Sequence, residues 1–141
     1  MRFRHVRFKL GNIMKKLFFY SFIIFAIINI SACAQQDKKG TMTVKELSEK
    51  FGKDTSLVLL DVRTDEELTG PLGHIDGIIH IPLQEIKERI HELDKYKGKE
   101  IAVICRSGNR SGVATGILKS GGFNAVNVEG GMMEYRKEGL K

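Results

Sequence analysis

The chain has 141 residues, 42% of them hydrophobic, which suits one small domain with a genuine core. The net charge of +6 would suit a nucleic-acid binder, but six of the 23 basic residues lie before residue 17. From Cys33 onward 17 Lys and Arg face 17 Asp and Glu, and this balance argues against a groove for a phosphate backbone.

The first element along the chain is a targeting segment. Lys15 and Lys16 precede an apolar run of 14 residues, 17–30. A spanning helix needs about 20, so the run is short for one. A positive start, a short apolar centre and small residues at the end make residues 14–32 a signal peptide. The sequence "ISAC" at residues 30–33 resembles the lipobox of bacterial lipoproteins. That resemblance implies cleavage before Cys33 and a lipid on Cys33. The domain is then expected on an extracytoplasmic membrane surface, on the periplasmic face or the cell surface. Residues 33–41 are polar and read as a tether. Residues 1–13 fit no part of a signal peptide, and Met14 is the expected start. With Cys33 lipidated, Cys105 is the one remaining cysteine of two, so no disulfide forms within the mature chain.

The folded part, residues 42–141, alternates helices and strands. Residues 43–51 read as a helix, with Val44, Leu47 and Phe51 on one face and a capping box from Thr43 to Glu46. Residues 56–62 form a continuous apolar run, the mark of a strand buried on both faces. A second strand is expected over 77–83, ended by Pro82. Residues 83–96 read as a helix through Ile86, Ile90 and Leu93. A third strand, 101–104, leads into Cys105. Residues 110–122 read as a helix, with Val113, Ile117 and Leu118 inward and a glycine pair as its stop. Residues 125–128 form a fourth strand, and a short helix over 132–141 closes the chain. This alternation predicts an α/β fold, an open parallel sheet with helices on both faces. Such sheets bind ligands beyond the carboxyl ends of their strands, which is where Cys105 lies.

The stretch "CRSGNRSG" at residues 105–112 carries the chemistry. Gly108 adopts positive φ without steric cost, and Asn109 tolerates that region better than most residues. A turn of this kind aims successive amides inward as an anion nest, joined by the free amides of the next helix. Arg106 and Arg110 add charge, so the Cys105 thiol is expected below its ordinary value of about 8.5. A nucleophile and an anion pocket in one turn suit attack on phosphorus in a phosphate ester or on sulfur in a thiosulfonate. A phosphatase also needs a general acid, for which Asp61, Asp65, Glu66, Glu67 and Asp76 are candidates.

Four segments, "LLDVRTDEEL", "GHIDGIIHIPL", "ICRSGNRS" and "VNVEGGMMEYRKEGL", stand in the order found in single-domain rhodaneses, and the chain resembles that family of thiosulfate sulfurtransferases over residues 42–141. The resemblance implies about five parallel strands and Cys105 as a nucleophile that carries a persulfide. The substrate-binding loop would be Arg106, Ser107, Gly108, Asn109, Arg110 and Ser111, with Arg110 closing it. Asp61 and Arg63 match a supporting "DVR", and His74 in "GHI" matches a structural position. The C-x4-R spacing is one residue tighter than in related dual-specificity phosphatases, which favours sulfur over phosphorus. The implied reaction is ping-pong covalent catalysis by a monomer, with thiosulfate or another sulfane-sulfur donor and cyanide or a thiol as acceptor, and with no cofactor or metal. Gly130 and Gly131 are expected to bring a turn close to the active face, with Met132 and Met133 as core or pocket wall. The chain departs from the family at "TGPL", residues 69–72, which lengthens the spacing before "GHI" and rebuilds the rim. It departs again at Tyr135, where tryptophan is common and where a buried hydroxyl would need a partner.

Overall fold

The computed structural model describes residues 40–141; the signal-peptide reading and Cys33 lie outside them. Five parallel strands form one sheet: β1 (Thr41–Met42), β2 (Leu57–Asp61), β3 (Ile79–His80), β4 (Glu100–Ile104) and β5 (Asn124–Val128), in the order β1-β5-β4-β2-β3. The helices are α1 (Val44–Lys50), α2 (Asp65–Leu68), α3 (Ile86–Arg89), α4 (Asn109–Ser120) and α5 (Gly131–Lys137). Alternation along the strands divides the core in two. Leu60, Val62, Ile101, Val103 and Cys105 face α3 and α4, where Ile86, Ala114 and Leu118 pack. Leu57, Leu59, Ala102 and Ile104 face α1 and α5, where Leu47, Met132 and Tyr135 pack.

Several expectations hold in detail. Thr43 and Glu46 form the capping box of α1: the Glu46 amide donates to Thr43 Oγ1 at 3.2 Å and the Thr43 amide to Glu46 Oε2 at 2.8 Å. The Tyr135 hydroxyl donates to the Lys141 carbonyl at 2.8 Å.

Other expectations need correction. The helix expected over 83–96 is a short 3-10 turn (Leu83–Glu85), the single α turn of α3, and a longer 3-10 stretch (Ile90–Tyr96). Ile86 and Leu93 reach the core all the same, because spacings of three and four residues fit either coil over so short a span. Val113 does not turn inward; it is 58% exposed. The inward face of α4 is Ser111, Ala114, Thr115 and Leu118, where two polar residues hide the helical period. Strand β1 completes the five strands that the resemblance implies, but no residue pattern places it: two residues carry no alternation to read, and Thr41, expected as the end of a tether, pairs with Asn127.

Candidate active site

Cys105 follows β4 directly and is 1% exposed. The chain then turns through Arg106, Ser107 and Gly108 into α4. Gly108 supplies the turn with φ of 100°, a left-handed value that a side chain would strain. Asn109 does not share that conformation: no non-glycine residue among those described has positive φ, and Asn109 is the first residue of α4.

The loop's carbonyls and amides point to different partners. The Cys105 and Arg106 carbonyls accept from the Met132 and Met133 amides, at 2.8 and 2.9 Å. These bonds satisfy free amides at the start of α5 and turn the carbonyls away from the sulfur. A Cβ on Gly131 would collide with both backbones, so glycine is required where the β5–α5 turn meets the loop. On the other side the Gly108 amide donates to Cys105 Sγ at 3.2 Å. The Ser111 hydroxyl lies 3.3 Å from Sγ and 3.1 Å from the Gly108 carbonyl, and its one proton serves either acceptor.

Burial pushes the Cys105 thiol up. Hydrogen bonds from the Ser111 hydroxyl and from the amides of Ser111, Ser107 and Gly108 outweigh burial, and the thiol titrates below its ordinary value. The start of α4 adds its dipole at the same place.

The arginines are placed differently from the expectation that both would lend their charge to the sulfur. Arg110 makes a two-pronged ion pair with Glu67 of α2, Nη1 to Oε2 at 2.6 Å and Nη2 to Oε1 at 2.7 Å. Hydrogen bonding from Arg110 holds the Glu67 carboxyl down at about 2. The charge of Arg110 is therefore largely compensated. Arg106 is exposed and has no ion pair among the described residues.

Beneath this pair lies a second. Arg63 is fully buried and Asp61 is 1% exposed. The Asp61 carboxylate accepts from Arg63 Nε and Nη2 at 2.7–3.0 Å and from the Arg63 amide at 3.0 Å. Arg63 also donates to the carbonyls of Glu67 at 3.2 Å and Gly73 at 2.8 Å, so it props α2 and the loop after it. Asp61 and Arg63 thus reach the Cys105 loop through α2 and Glu67. His74 is exposed, with Nδ1 3.4 Å from the Leu68 carbonyl. Among the described residues no group of three His, Cys, Asp or Glu is placed to hold a metal ion.

Residues 43–138 match the family described as Rhodanese-like domain. The chain belongs to the rhodanese family. Its relatives place sulfur transfer at the level of the family. The Bacillus subtilis protein YtwF is 44% identical over 102 residues, covering 69% of this chain and 95% of that one. The thiosulfate sulfurtransferase PspE of Escherichia coli is 37% identical over 82 residues, covering 58% of this chain and 77% of its own. A crystal structure of a rhodanese-related protein from Thermoplasma volcanium is similar with a TM-score of 0.65 at 35% identity, covering 72% of this chain and 95% of that one.

In the sequence of this rhodanese Glu67 reads only as a candidate acid. Its part in holding Arg110 went unread because the partners lie 43 residues apart. A local signal did exist: Thr64 and Glu67 form a capping box, with the Thr64 amide donating to Glu67 Oε2 at 3.2 Å, which fixes that carboxylate at the start of α2. Arg136 was also missed. Its Nε donates to the Leu72 carbonyl and its Nη2 to that of His74, each at 2.8 Å, which pins the lengthened loop that includes "TGPL". That loop, α2, Arg106 and Met133 line a cavity of about 470 Å³. A cavity of about 540 Å³ lies at the opposite, amino-terminal ends of β4 and β5 and includes none of the loop residues 105–111.

Proposed function

We propose that this protein moves sulfane sulfur from thiosulfate or a similar donor to a thiophilic acceptor through a persulfide on Cys105. The observation that carries the reading is the thiol's setting, with donors from Gly108 and Ser111 at 3.2 and 3.3 Å from Sγ and no carbonyl of Cys105 or Arg106 left facing it. The thiolate attacks the outer sulfur of the donor and sulfite leaves. The amides of Ser107, Gly108 and Ser111 hold the negative charge on each sulfur in turn, as an oxyanion hole does. Arg110, already paired, closes the loop, and Arg106 meets the incoming anion. The acceptor then takes the terminal sulfur and restores the thiolate.

Phosphate-ester cleavage fits less well. Glu67 is held ionised by Arg110, so it is no general acid at neutral pH, and the Asp61 carboxylate is taken up by Arg63. A sulfur carrier with little turnover is a second reading, favoured by the 1% exposure of Cys105, which would shelter a bound persulfide. Incubation of the purified protein with thiosulfate and cyanide should yield repeated turnover to thiocyanate, with one added sulfur on Cys105 by mass and none in Cys105→Ser. A single equivalent of thiocyanate would favour the carrier; no added sulfur would refute both.

We further infer that residues 14–32 are removed and that Cys33 is lipidated, which would tether the domain to an extracytoplasmic membrane surface. Metabolic labelling with palmitate should mark the protein and not its Cys33→Ser variant. An unlabelled wild type would refute the anchor.

A further inference from the structure

We propose that the cavity beside the Cys105 loop seats the acceptor, and that it selects a thiol with an apolar body and a single anionic end. This deepens the sulfur-transfer reading and rests on it. The cavity holds about 470 Å³, within the range of roughly 300–1,000 Å³ typical of small-molecule sites. Cyanide and thiosulfate are small hydrated ions that gain nothing from an apolar wall. Part of this wall is apolar: Pro71 and Leu72 come from the lengthened loop and Met133 from the first turn of α5. Met133 is 49% exposed, and a flexible thioether on a cavity wall adapts to an apolar guest. The wall is preformed, because Arg136 holds the Leu72 carbonyl and Arg63 the Gly73 carbonyl, each at 2.8 Å.

Charge narrows the guest further. Three arginines near this cavity are occupied: Arg63 by Asp61, Arg110 by Glu67, and Arg136 by the carbonyls of Leu72, His74 and Leu140. Arg106, which follows Cys105 in the chain, has no such partner among the described residues and lines the cavity. It is placed to grip a carboxylate or similar anion. Glu66 lines the same cavity, and the Thr64 hydroxyl holds its carboxyl below the ordinary value, so it is charged and repels a second negative group. A monoanion with an apolar body gains contacts along this wall that thiosulfate, which needs only Arg106 and the loop amides, does not.

In the transfer step the acceptor thiolate attacks the outer sulfur of the Cys105 persulfide. A new sulfur–sulfur bond forms on the acceptor, and the one on Cys105 breaks. Its electron pair returns to Cys105 as thiolate; the outer sulfur, left as an anion by the loading step, takes a proton from water before the attack and carries it to the acceptor. No external oxidant or reductant is needed.

The test uses the full chain, held in detergent, and two readouts. In the first, hexanoate and acetate are compared as protectants of Cys105 against iodoacetamide, read by mass on the Cys105 peptide. Hexanoate should protect at a concentration about tenfold lower than acetate, as expected for partial burial of its added methylenes. The difference should vanish in Met133→Ser and persist in Val113→Ser, whose side chain is also exposed but does not line the cavity. Arg106→Gln should weaken protection by both. In the second readout, protein loaded with sulfur from thiosulfate is discharged by mercaptopropionate or mercaptohexanoate at equal thiolate concentration. The longer thiol should react about tenfold faster, again not in Met133→Ser. Equal protection by acetate and hexanoate, or equal discharge by the two thiols, overturns the proposal while a normal sulfur gain leaves the sulfur-transfer reading intact. Protection without any sulfur gain on Cys105 overturns that reading, and the acceptor's role with it.

Discussion

Two arginine–carboxylate pairs stand within a few residues of each other and do different work. Asp61 and Arg63 are sealed from water, at 1% and 0% side-chain exposure, whereas Glu67 and Arg110 are 28% and 30% exposed. The sealed pair engages every nitrogen of its guanidinium with neighbours within β2, α2 and the following loop, so it is part of the frame. The outer pair joins α2 to the first turn of α4 and so ties the frame to the catalytic loop. The contrast shows that an arginine near a cysteine is not automatically a positive field on it. Here the carboxylates take up both guanidinium charges, and uncharged donors do most to favour the thiolate.

Removing one partner of the sealed pair should have the largest effect. Arg63→Leu leaves the Asp61 carboxylate buried and unpaired, and urea unfolding should show a loss of about 3–5 kcal/mol. Asp61→Leu combined with Arg63→Leu should recover part of that loss, since no charge remains buried. A double variant no more stable than the single one would mean that the bonds to the Glu67 and Gly73 carbonyls, not the charge, dominate.

The outer pair should cost less. Glu67→Gln should lower stability by about 1 kcal/mol at neutral pH, after allowance for screening at a partly exposed site. The carboxyl is depressed from 4.5 to about 2, so its contribution is complete above 4.5 and disappears as pH falls toward 2. Wild type should lose this stability across that window, and Glu67→Gln should not. The variant also releases the charge of Arg110, so the alkylation midpoint of Cys105 should move down.

The smallest effect on stability and the opposite effect on the thiol are expected for Ser111→Ala. Loss of the hydroxyl donor should move the alkylation midpoint of Cys105 up, toward the ordinary thiol value. A midpoint unchanged in Ser111→Ala but raised in Arg106→Gln would reverse the assignment of the thiol's field to neutral donors.

These features were legible in the sequence to different degrees, for physical reasons. Thr43 with Glu46, the apolar run of β2 and the strand–cysteine–glycine order at 101–108 are local signals, and each is seen in the structure where the sequence places it. Val113 misled because the inward positions of α4 include Ser111 and Thr115, so hydrophobicity does not mark that face. Strand β1 is defined by its pairing with β5 and by nothing within its two residues. Arg110 could be recognised from its spacing to Cys105, but the sequence says nothing of what neutralises it, because the partner is brought in by the fold.

The grip of α5 on the loop has one more consequence. The bonds that set the path of residues 105 and 106 run between backbone atoms of the two segments, and a side chain at Gly131 would collide with them. The exposed side chains at Arg106, Ser107 and Asn109 bear none of that weight. Substitution there can retune what the site admits while the sulfur stays where it is, so one scaffold can acquire new clientele through point changes that leave its folding intact.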